Sequence, residues 1–243
     1  MPTAFIAGAT GYTGRHVTER LAREGARAIA HVRPDSAALG AWTSRFSAAG
    51  AEVDATPWTD EMARTMARLR PDFVFALLGT TRARAARDEL ATGKSAGYEA
   101  IDYGLSALLL QSVRAAGIRP CFVYLSSLGA DEQSRNPYLA VRGRFERELR
   151  ESTLPHLIVR PSFISGGDRG ERRLLERTAS VITDALLGAV SIIGAGTLRD
   201  RWSTLTGATL AAGMVRIALD HPDGRATVDA ADIRRALRAH APH

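Results

Sequence analysis

A glycine-rich turn near the start of the chain constrains the fold more than any other feature. Its spacing is G-x-x-G-x-x-G, from Gly8 to Gly14, and an apolar run at 4–7 precedes it. Residues 15–24 follow with Val17 and Leu21 four apart, as on one face of a helix. A helix that begins on such a turn suits a phosphate, because its first N–H groups are unpaired and its dipole is positive there. The sequence therefore predicts a dinucleotide site at Gly8, Thr10, Gly11, Tyr12, Thr13 and Gly14.

Strand and helix patterns alternate along the first two thirds of the chain. Apolar strands are predicted at 28–32, 51–53, 72–78, 120–125 and 156–160, with helices at 60–69 and 98–116. This alternation predicts a doubly wound, parallel α/β fold of Rossmann type.

We expect one domain over 1–243, with a cofactor-binding core at 1–164. The C-terminal part, 165–243, is expected to lie over the carboxyl edge of the sheet and shape a substrate pocket. It carries predicted helices at 171–187 and 206–219 and a closing strand and helix at 226–238.

Composition narrows the class of protein. With 45% hydrophobic and 24% charged residues, the chain resembles an ordinary globular domain. It has no apolar run of about 18 residues and no basic leader segment, so we expect a cytoplasmic protein without a membrane span. A single cysteine, Cys121, excludes an internal disulfide and is expected in the core. No metal-ligand spacing is present, so no metal is expected.

The positive charge does not predict a nucleic-acid partner. The net charge is +6, but basic residues are scattered among acidic ones, whereas a nucleic-acid interface has a clustered patch. Of the 32 basic residues, Lys94 is the single lysine. Arginine therefore stands almost everywhere that lysine could serve.

The ends of the predicted strands supply further cofactor contacts. Arg33 ends the second strand, where an arginine accommodates the 2′-phosphate of NADP and an acidic residue would bind the ribose of NAD. The sequence thus favours NADP (NADPH) over NAD. Asp54 either binds the adenine amine or merely ends the third strand. After the fourth strand, Leu78, Gly79 and Thr80 are expected near the cofactor.

Serine, tyrosine and arginine follow the fifth strand in an order that suits proton transfer. Tyr138 and Arg142 lie four apart on a helix that Asn136 and Pro137 begin. A phenol beside a serine and a cation can exchange a proton with a carbonyl or alcohol during hydride transfer. Ser127, Tyr138 and Arg142 are therefore the candidate catalytic residues, and Tyr138 and Arg142 are also expected to contact the cofactor.

These motifs together resemble the atypical branch of the short-chain dehydrogenase/reductase superfamily. Segments 78–82, 126–131 and 138–143 are similar to the Tat-interacting-protein group of NmrA-like, NAD(P)-binding oxidoreductases. Arg160-Pro161 resembles the Arg-Pro after the family's sixth strand and adds Pro161 to the cofactor contacts. The resemblance runs from about residue 3 to residue 165, and it implies a Rossmann-type fold, NADP and a Ser-Tyr-Lys catalytic set.

The chain departs from that family at the last catalytic position. The family has Tyr-x-x-x-Lys, whereas this chain has Arg142, and Lys94 does not match the motif. An arginine can bind the ribose and favour a tyrosinate, but it does not readily release a proton. Some relatives place the active serine one position later, at Leu128 here, so Ser127 is the preferred candidate.

Three functions stay open on the sequence. The first is an NADP-dependent oxidoreductase acting on a small-molecule carbonyl or alcohol substrate. The second is a non-catalytic NADP(H)-binding regulator or redox sensor with a protein partner, which Arg142 in place of lysine favours. The third is a nucleotide-sugar epimerase or dehydratase, against which Arg33 and the short chain argue. A homodimer is also open.

Overall fold

A computed structural model describes residues 1–79, 98–162, 164–165 and 205–239. Among these residues, seven parallel strands form one sheet: β1 (Thr3–Ala7), β2 (Arg27–His31), β3 (Glu52–Asp54), β4 (Phe73–Ala76), β5 (Cys121–Leu125), β6 (His156–Arg160) and β9 (Arg225–Asp229). Their spatial order is β3-β2-β1-β4-β5-β6-β9. A separate two-stranded pair joins β7 (Ile164–Ser165) to β8 (Leu205–Thr206).

Helices cover both faces of the sheet. They are α1 (Tyr12–Arg23), α2 (Leu39–Ala48), α3 (Glu61–Leu69), a π-helix (Tyr98–Gly104) continuing into α4 (Leu105–Ala115), α5 (Pro137–Glu151), α6 (Gly207–Asp220) and α7 (Ala230–Arg238). No helix in the described ranges is both long and apolar enough to cross a membrane.

Two apolar clusters hold these layers together. Ile6 of β1 packs into a cluster with α1, α2, α6 and α7, whereas its neighbour Phe5 packs into one with α3, α4 and α5. Successive side chains of a strand point to opposite faces, so a strand that is apolar throughout serves both clusters. The predicted doubly wound α/β fold is thus confirmed.

The order of the strands places a candidate site between β1 and β4. From β1 the chain runs outward to β2 and β3, and it then returns to β4 on the other side of β1. A crevice opens outside the carboxyl ends of the strands at such a switch point, and ligands bind there in doubly wound sheets. The glycine turn follows β1 at this edge.

The observed elements match most of the predicted ones, with three differences. Helix α2 was not predicted, since Phe46 is the one buried residue that marks it. The segment 98–116, predicted as one regular helix, begins with the π-helix. Residues 205–239 add β9 to the sheet and pack α6 against α1, so they belong largely to the layers of the fold, and the role of 165–243 in shaping a substrate pocket stays a prediction. The predicted helix at 171–187 lies outside the described residues.

The free cysteine is a core residue of β5. Cys121 is 2% exposed, and burial raises the pKa of its thiol to about 12. A protonated, enclosed thiol is inert, because the thiolate is the reactive form. The placement agrees with the expected packing role.

Candidate active site at the carboxyl edge of the sheet

The glycine turn brings β1, β4 and α1 closer together than side chains would allow. A Cβ on Gly14 would lie 2.1 Å from the carbonyl oxygen of Gly8. A Cβ on Gly8, whose φ is +83°, would lie 2.6 Å from the carbonyl oxygen of Leu77. Thr10 and Gly11, within this turn, are exposed. The glycines thus let α1 begin close against the carboxyl ends of β1 and β4, which is the approach that a diphosphate-binding turn requires.

The first turn of α1 is open to an anion. Gly11 is the N-cap and provides no side-chain hydrogen bond, and the first turn holds no acidic residue. The first N–H groups of a helix have no partner within it, and the dipole there is positive. Thr13 and Gly14 are buried beneath this turn. The geometry therefore suits a phosphate group, as the sequence predicted.

Tyr12 joins the glycine turn to α6. Its hydroxyl accepts a hydrogen bond from the backbone N–H of Gly207 at 3.4 Å, and a Cβ on Gly207 would lie 2.4 Å from Cε1 of Tyr12. The guanidinium carbon of Arg15 lies 5.1 Å from the centroid of the same ring. Tyr12 thus packs between two helices, and its contact with a cofactor stays a prediction.

Arg142 is enclosed between the ends of β4 and β5, where it is 4% exposed. Its Nη1 donates to the carbonyl oxygen of Leu125 at 2.6 Å and to the hydroxyl of Tyr124 at 3.2 Å. Its Nη2 donates to the carbonyl oxygen of Leu78 at 3.1 Å and to the carboxylate of Asp102. Since a guanidinium has five N–H groups, these bonds leave one, at Nε. That group is buried and has no partner among the described residues.

These contacts differ from the role predicted for Arg142. The sequence places its guanidinium on the cofactor ribose, whereas in the structure the terminal nitrogens tie β4, β5 and the π-helix together. Gly79 admits the guanidinium, because a Cβ there would lie 2.8 Å from Nη2 of Arg142. Leu78 and Gly79 therefore lie at the predicted edge, but their observed contacts are with Arg142.

The surroundings of Arg142 keep it charged. Burial acts to lower the pKa of the guanidinium, but the oxygens of Tyr124, Tyr138 and Asp102 outweigh it and raise that pKa above its ordinary value. Burial also raises the pKa of the Tyr124 hydroxyl to about 12, so this group stays neutral. The site thus holds a permanent cation paired with a buried carboxylate.

Tyr138 stands beside this cation at the start of α5. The Oδ1 of Asn136 accepts a hydrogen bond from the backbone N–H of Tyr138 at 3.0 Å, which fixes the first turn. The guanidinium carbon of Arg142 lies 5.2 Å from the centroid of the Tyr138 ring, and the ring of Tyr98 lies 5.4 Å away. Within the described part of the chain, the Tyr138 hydroxyl has no hydrogen-bond partner. It is available to a ligand.

The two serines after β5 differ in their surroundings. The Oγ of Ser126 is buried and donates to Oε1 of Glu146 at 2.6 Å, in a cluster that also includes Arg160. The Oγ of Ser127 is partly exposed and lies 3.4 Å from the carbonyl oxygen of Leu128. Ser126 is therefore committed to the core, and Ser127 is the serine of the pair that can meet a ligand.

Two predicted cofactor contacts, Arg33 after β2 and Asp54 at the end of β3, lie on the side of β1 that is away from β4. Arg33 is half exposed and pairs with Asp35 at 3.5 Å. The carboxylate of Asp54 accepts hydrogen bonds from the backbone and the hydroxyl of Thr56, both at 3.0 Å, and it pairs with Arg68 at 3.6 Å. These bonds hold Asp54 where β3 ends, and its contact with the adenine amine stays a prediction.

Of the remaining positions that the sequence singled out, the structure describes Pro161. Pro161 is buried, and its carbonyl oxygen accepts a hydrogen bond from the N–H of Leu128 at 3.0 Å, which joins the loops after β5 and β6. Thr80 and Lys94 lie outside the described residues.

Two residues that contact Arg142 were not predicted from the sequence, Asp102 and Tyr124. Both look like ordinary helix and strand residues, and they lie 40 and 18 residues away from their partner in sequence. Two signals were present: an acidic residue in a segment otherwise read as an amphipathic helix, and a tyrosine inside an apolar strand. Neither names its partner without the fold.

Known proteins match this chain over most of its length. The family described as NAD(P)H-binding matches residues 8–187. The protein named FMP52, mitochondrial, of Coccidioides immitis is 28% identical over 243 residues, covering 94% of this chain and 92% of that protein. Its namesake in Debaryomyces hansenii is 30% identical over 166 residues, covering 68% and 67%. These names contradict the prediction of a cytoplasmic location, which was drawn from the lack of a leader segment and is wrong.

Solved structures show the same fold. A candidate NAD-dependent epimerase/dehydratase from Bacillus halodurans aligns with a TM-score of 0.67 at 18% identity, covering 98% of this chain and all (100%) of that one. UDP-glucose-4-epimerase from Stenotrophomonas maltophila, solved with bound NAD and formylated UDP-arabinopyranose, aligns with a TM-score of 0.64 at 15% identity. It covers 94% of this chain and 78% of that one.

The comparisons agree with the resemblance found in the sequence. The fold neighbours are an epimerase/dehydratase and an epimerase, and the NAD(P)H-binding match includes the glycine turn with Gly8, Gly11 and Gly14. Because the family match spans more than half of the residues, this chain belongs to the NAD(P)H-binding family.

Proposed function

We propose that this chain is an NADP(H)-dependent oxidoreductase that interconverts a carbonyl and an alcohol. The observation that carries the proposal is the placement of Tyr138. Its ring lies beside the charged guanidinium of Arg142 and its hydroxyl is available, at the same carboxyl edge of the sheet where the glycine turn follows β1. Reduction of a carbonyl by hydride requires a proton donor close to the bound dinucleotide.

The cofactor would be held by residues along one edge. The turn from Gly8 to Gly14 would bind the diphosphate through backbone N–H groups, and Arg33 would bind the 2′-phosphate. When bound, NADP(H) supplies or accepts the hydride. Leu78 and Gly79, which follow β4, would place their backbone near the cofactor at the same edge of the sheet.

The chain's own residues would manage the proton. Tyr138 would give its hydroxyl proton to the substrate oxygen during reduction and take it back during oxidation, while Ser127 orients that oxygen. The fixed charge of Arg142 would stabilise the negative charge that develops on the Tyr138 oxygen. Arg142 does so without leaving its protein partners.

The experiment measures NADPH consumption against a panel of quinones, aldehydes and ketones. Replacing Tyr138 by Phe should lower turnover by about 100-fold or more, since general acid catalysis contributes at least that much, and should leave the Kd for NADPH within about threefold. Tyr103→Phe is the matched control, because its hydroxyl donates to Glu148 at 2.9 Å. Equal turnover in the wild type and Tyr138→Phe would sink the mechanism.

NADP rather than NAD is proposed on the position of Arg33. Arg33→Ala should weaken NADPH binding by about tenfold, as the loss of a charged phosphate contact does, and should leave NADH binding unchanged. Arg27→Ala is the control, because Arg27 begins the same strand and pairs with Glu52 at 2.7 Å on the opposite edge. An unchanged preference in Arg33→Ala would overturn the assignment.

A non-catalytic NADP(H)-binding regulator is the second candidate. The observation in its favour is that the terminal N–H groups of Arg142 are used within the protein, so they do not supply the ribose contact of the family lysine. Tight NADPH binding with no consumption across the panel would support it. The likeness to epimerases concerns the fold alone. Arg33 argues against an NAD-dependent epimerase, because an arginine at this position suits the 2′-phosphate of NADP.

A further inference from the structure

A buried ion pair joins the π-helix to α5 at the proposed site. The carboxylate of Asp102 accepts a hydrogen bond from Nη2 of Arg142, and the two side chains are 0% and 5% exposed. Isolated charges are costly to bury, so each keeps the other in the core. The π-helix is itself an irregular element that is frequent at functional sites.

The carboxylate sets the direction of the guanidinium. Nη2 is shared between Asp102 and the carbonyl oxygen of Leu78, while Nη1 is shared between Leu125 and Tyr124. Three of these acceptors are neutral, and a charged acceptor makes a bond about twice as strong as a neutral one. Loss of the carboxylate would therefore release the nitrogen that faces the end of β4 and let the plane turn.

We infer that Asp102 is a positioning residue, which fixes the guanidinium of Arg142 beside the ring of Tyr138. This inference rests on the proposed function and names a residue that acts through Arg142 without meeting the substrate. It also assigns a purpose to the π-helix, which carries Asp102 inward and Glu99 outward. Glu99 pairs with Arg144 at 2.7 Å, and those side chains are 54% and 39% exposed.

The exposed pair provides a matched control between the same two elements. Asp102→Asn and Glu99→Gln each remove one carboxylate charge from the π-helix with little change of shape. We expect Asp102→Asn to lower kcat by about tenfold or more, as small misplacements near a reacting group do. The KM for NADPH should stay within about threefold, because the diphosphate is bound elsewhere. Glu99→Gln should change neither constant, since exposed pairs contribute little.

A double-mutant cycle separates positioning from a general loss of structure. If Asp102 acts through Arg142, the kcat of Asp102→Asn/Arg142→Gln should match that of Arg142→Gln alone within about threefold. Independent, multiplying losses would overturn the inference. The double variant removes both charges of the pair and leaves neither of them buried without a partner. It can therefore be measured even where one of the single variants does not fold.

Arginine side-chain ¹⁵N NMR gives a readout that needs no turnover. The wild type should show resolved Nη–H signals from the held guanidinium, assigned by their loss in Arg142→Gln. They should average in Asp102→Asn and persist in Glu99→Gln. Unchanged signals in Asp102→Asn would overturn the inference. A wild type without activity but with this NMR pattern would instead reject the proposed function and keep the Asp102–Arg142 relationship.

Discussion

The guanidinium carbon of Arg142 lies 5.2 Å from the centroid of the Tyr138 ring and 5.5 Å from that of Tyr124. One cation therefore contacts two aromatic rings while its nitrogens bond the ends of two strands. A guanidinium can do this because it is planar and donates in several fixed directions, whereas an ammonium is a point charge. The arginine at the family's lysine position therefore has a structural role, because it holds the ends of β4 and β5 together.

Restoring the family motif should not improve the protein. Arg142→Lys offers three donors in place of four that are used, so at least one buried acceptor loses its partner. We expect the free energy of unfolding to fall by about 2 kcal/mol and NADPH turnover to decrease. Denaturant unfolding and kinetics measure both, with Arg144→Lys on the exposed side of α5 as the control. Higher turnover in Arg142→Lys would contradict this account.

The glycine turn should reject even a methyl group. Gly14→Ala places a Cβ 2.1 Å from the carbonyl oxygen of Gly8, so α1 must shift. We expect a loss of about 1–3 kcal/mol from overpacking, and weaker NADPH binding in a calorimetric titration. Gly40→Ala in α2 meets no atom within 4 Å and should be neutral or stabilising by up to about 1 kcal/mol. Equal effects of the two substitutions would contradict the close approach.

A second buried carboxylate, Glu146, should matter more for stability than for chemistry. It is 0% exposed and accepts hydrogen bonds from Ser126, Arg150 and Arg160. Glu146→Ala leaves Arg160 and Ser126 without that partner, and we expect a loss of about 3 kcal/mol in the free energy of unfolding.

The control for Glu146 is Glu151 on the same helix. Glu151 is 61% exposed and pairs with Arg147, so Glu151→Ala should cost no more than about 0.5 kcal/mol. Thermal and urea unfolding of both variants test the difference. Similar losses at the two positions would argue against a buried Glu146 network.

Buried His31 should make the protein less stable in acid. Burial lowers the pKa of this imidazole below its ordinary 6.5, although Thr56 and Asp54 partly oppose the shift. Below about pH 6.5 the unfolded chain therefore binds the proton more tightly, and the free energy of unfolding falls as the pH falls.

His31→Gln tests that dependence. An amide can keep a hydrogen bond to the carbonyl oxygen of Thr56, which His31 Nε2 makes at 2.8 Å, but it does not titrate. Between about pH 7 and about pH 5 the variant should lose less stability than the wild type. Because burial also lowers the pKa of His156, some slope should remain in both. Identical slopes would remove His31 from the explanation.

The sequence was sufficient for features set by local pattern. The glycine turn, the buried strands and the start of α5 at Asn136 follow from steric freedom, apolar runs and capping, which act over a few residues. The direction of the Arg142 side chain does not follow from local pattern, because its partners come from the ends of β4 and β5 and from the π-helix. Helix α2 was missed for a different reason, since one buried residue, Phe46, gives too weak a periodicity.

Transfer of the hydride from NADPH to the substrate carbon can be followed with deuterium. The wild type is incubated with NADPH deuterated at C4 of the nicotinamide on either face, together with a carbonyl compound that it consumes. Mass spectrometry of the product should show one deuterium on the former carbonyl carbon from one of the two labelled cofactors, and Tyr138→Phe should form this product far more slowly. An alcohol without deuterium from either cofactor, or no alcohol from any compound of the panel, would contradict the account.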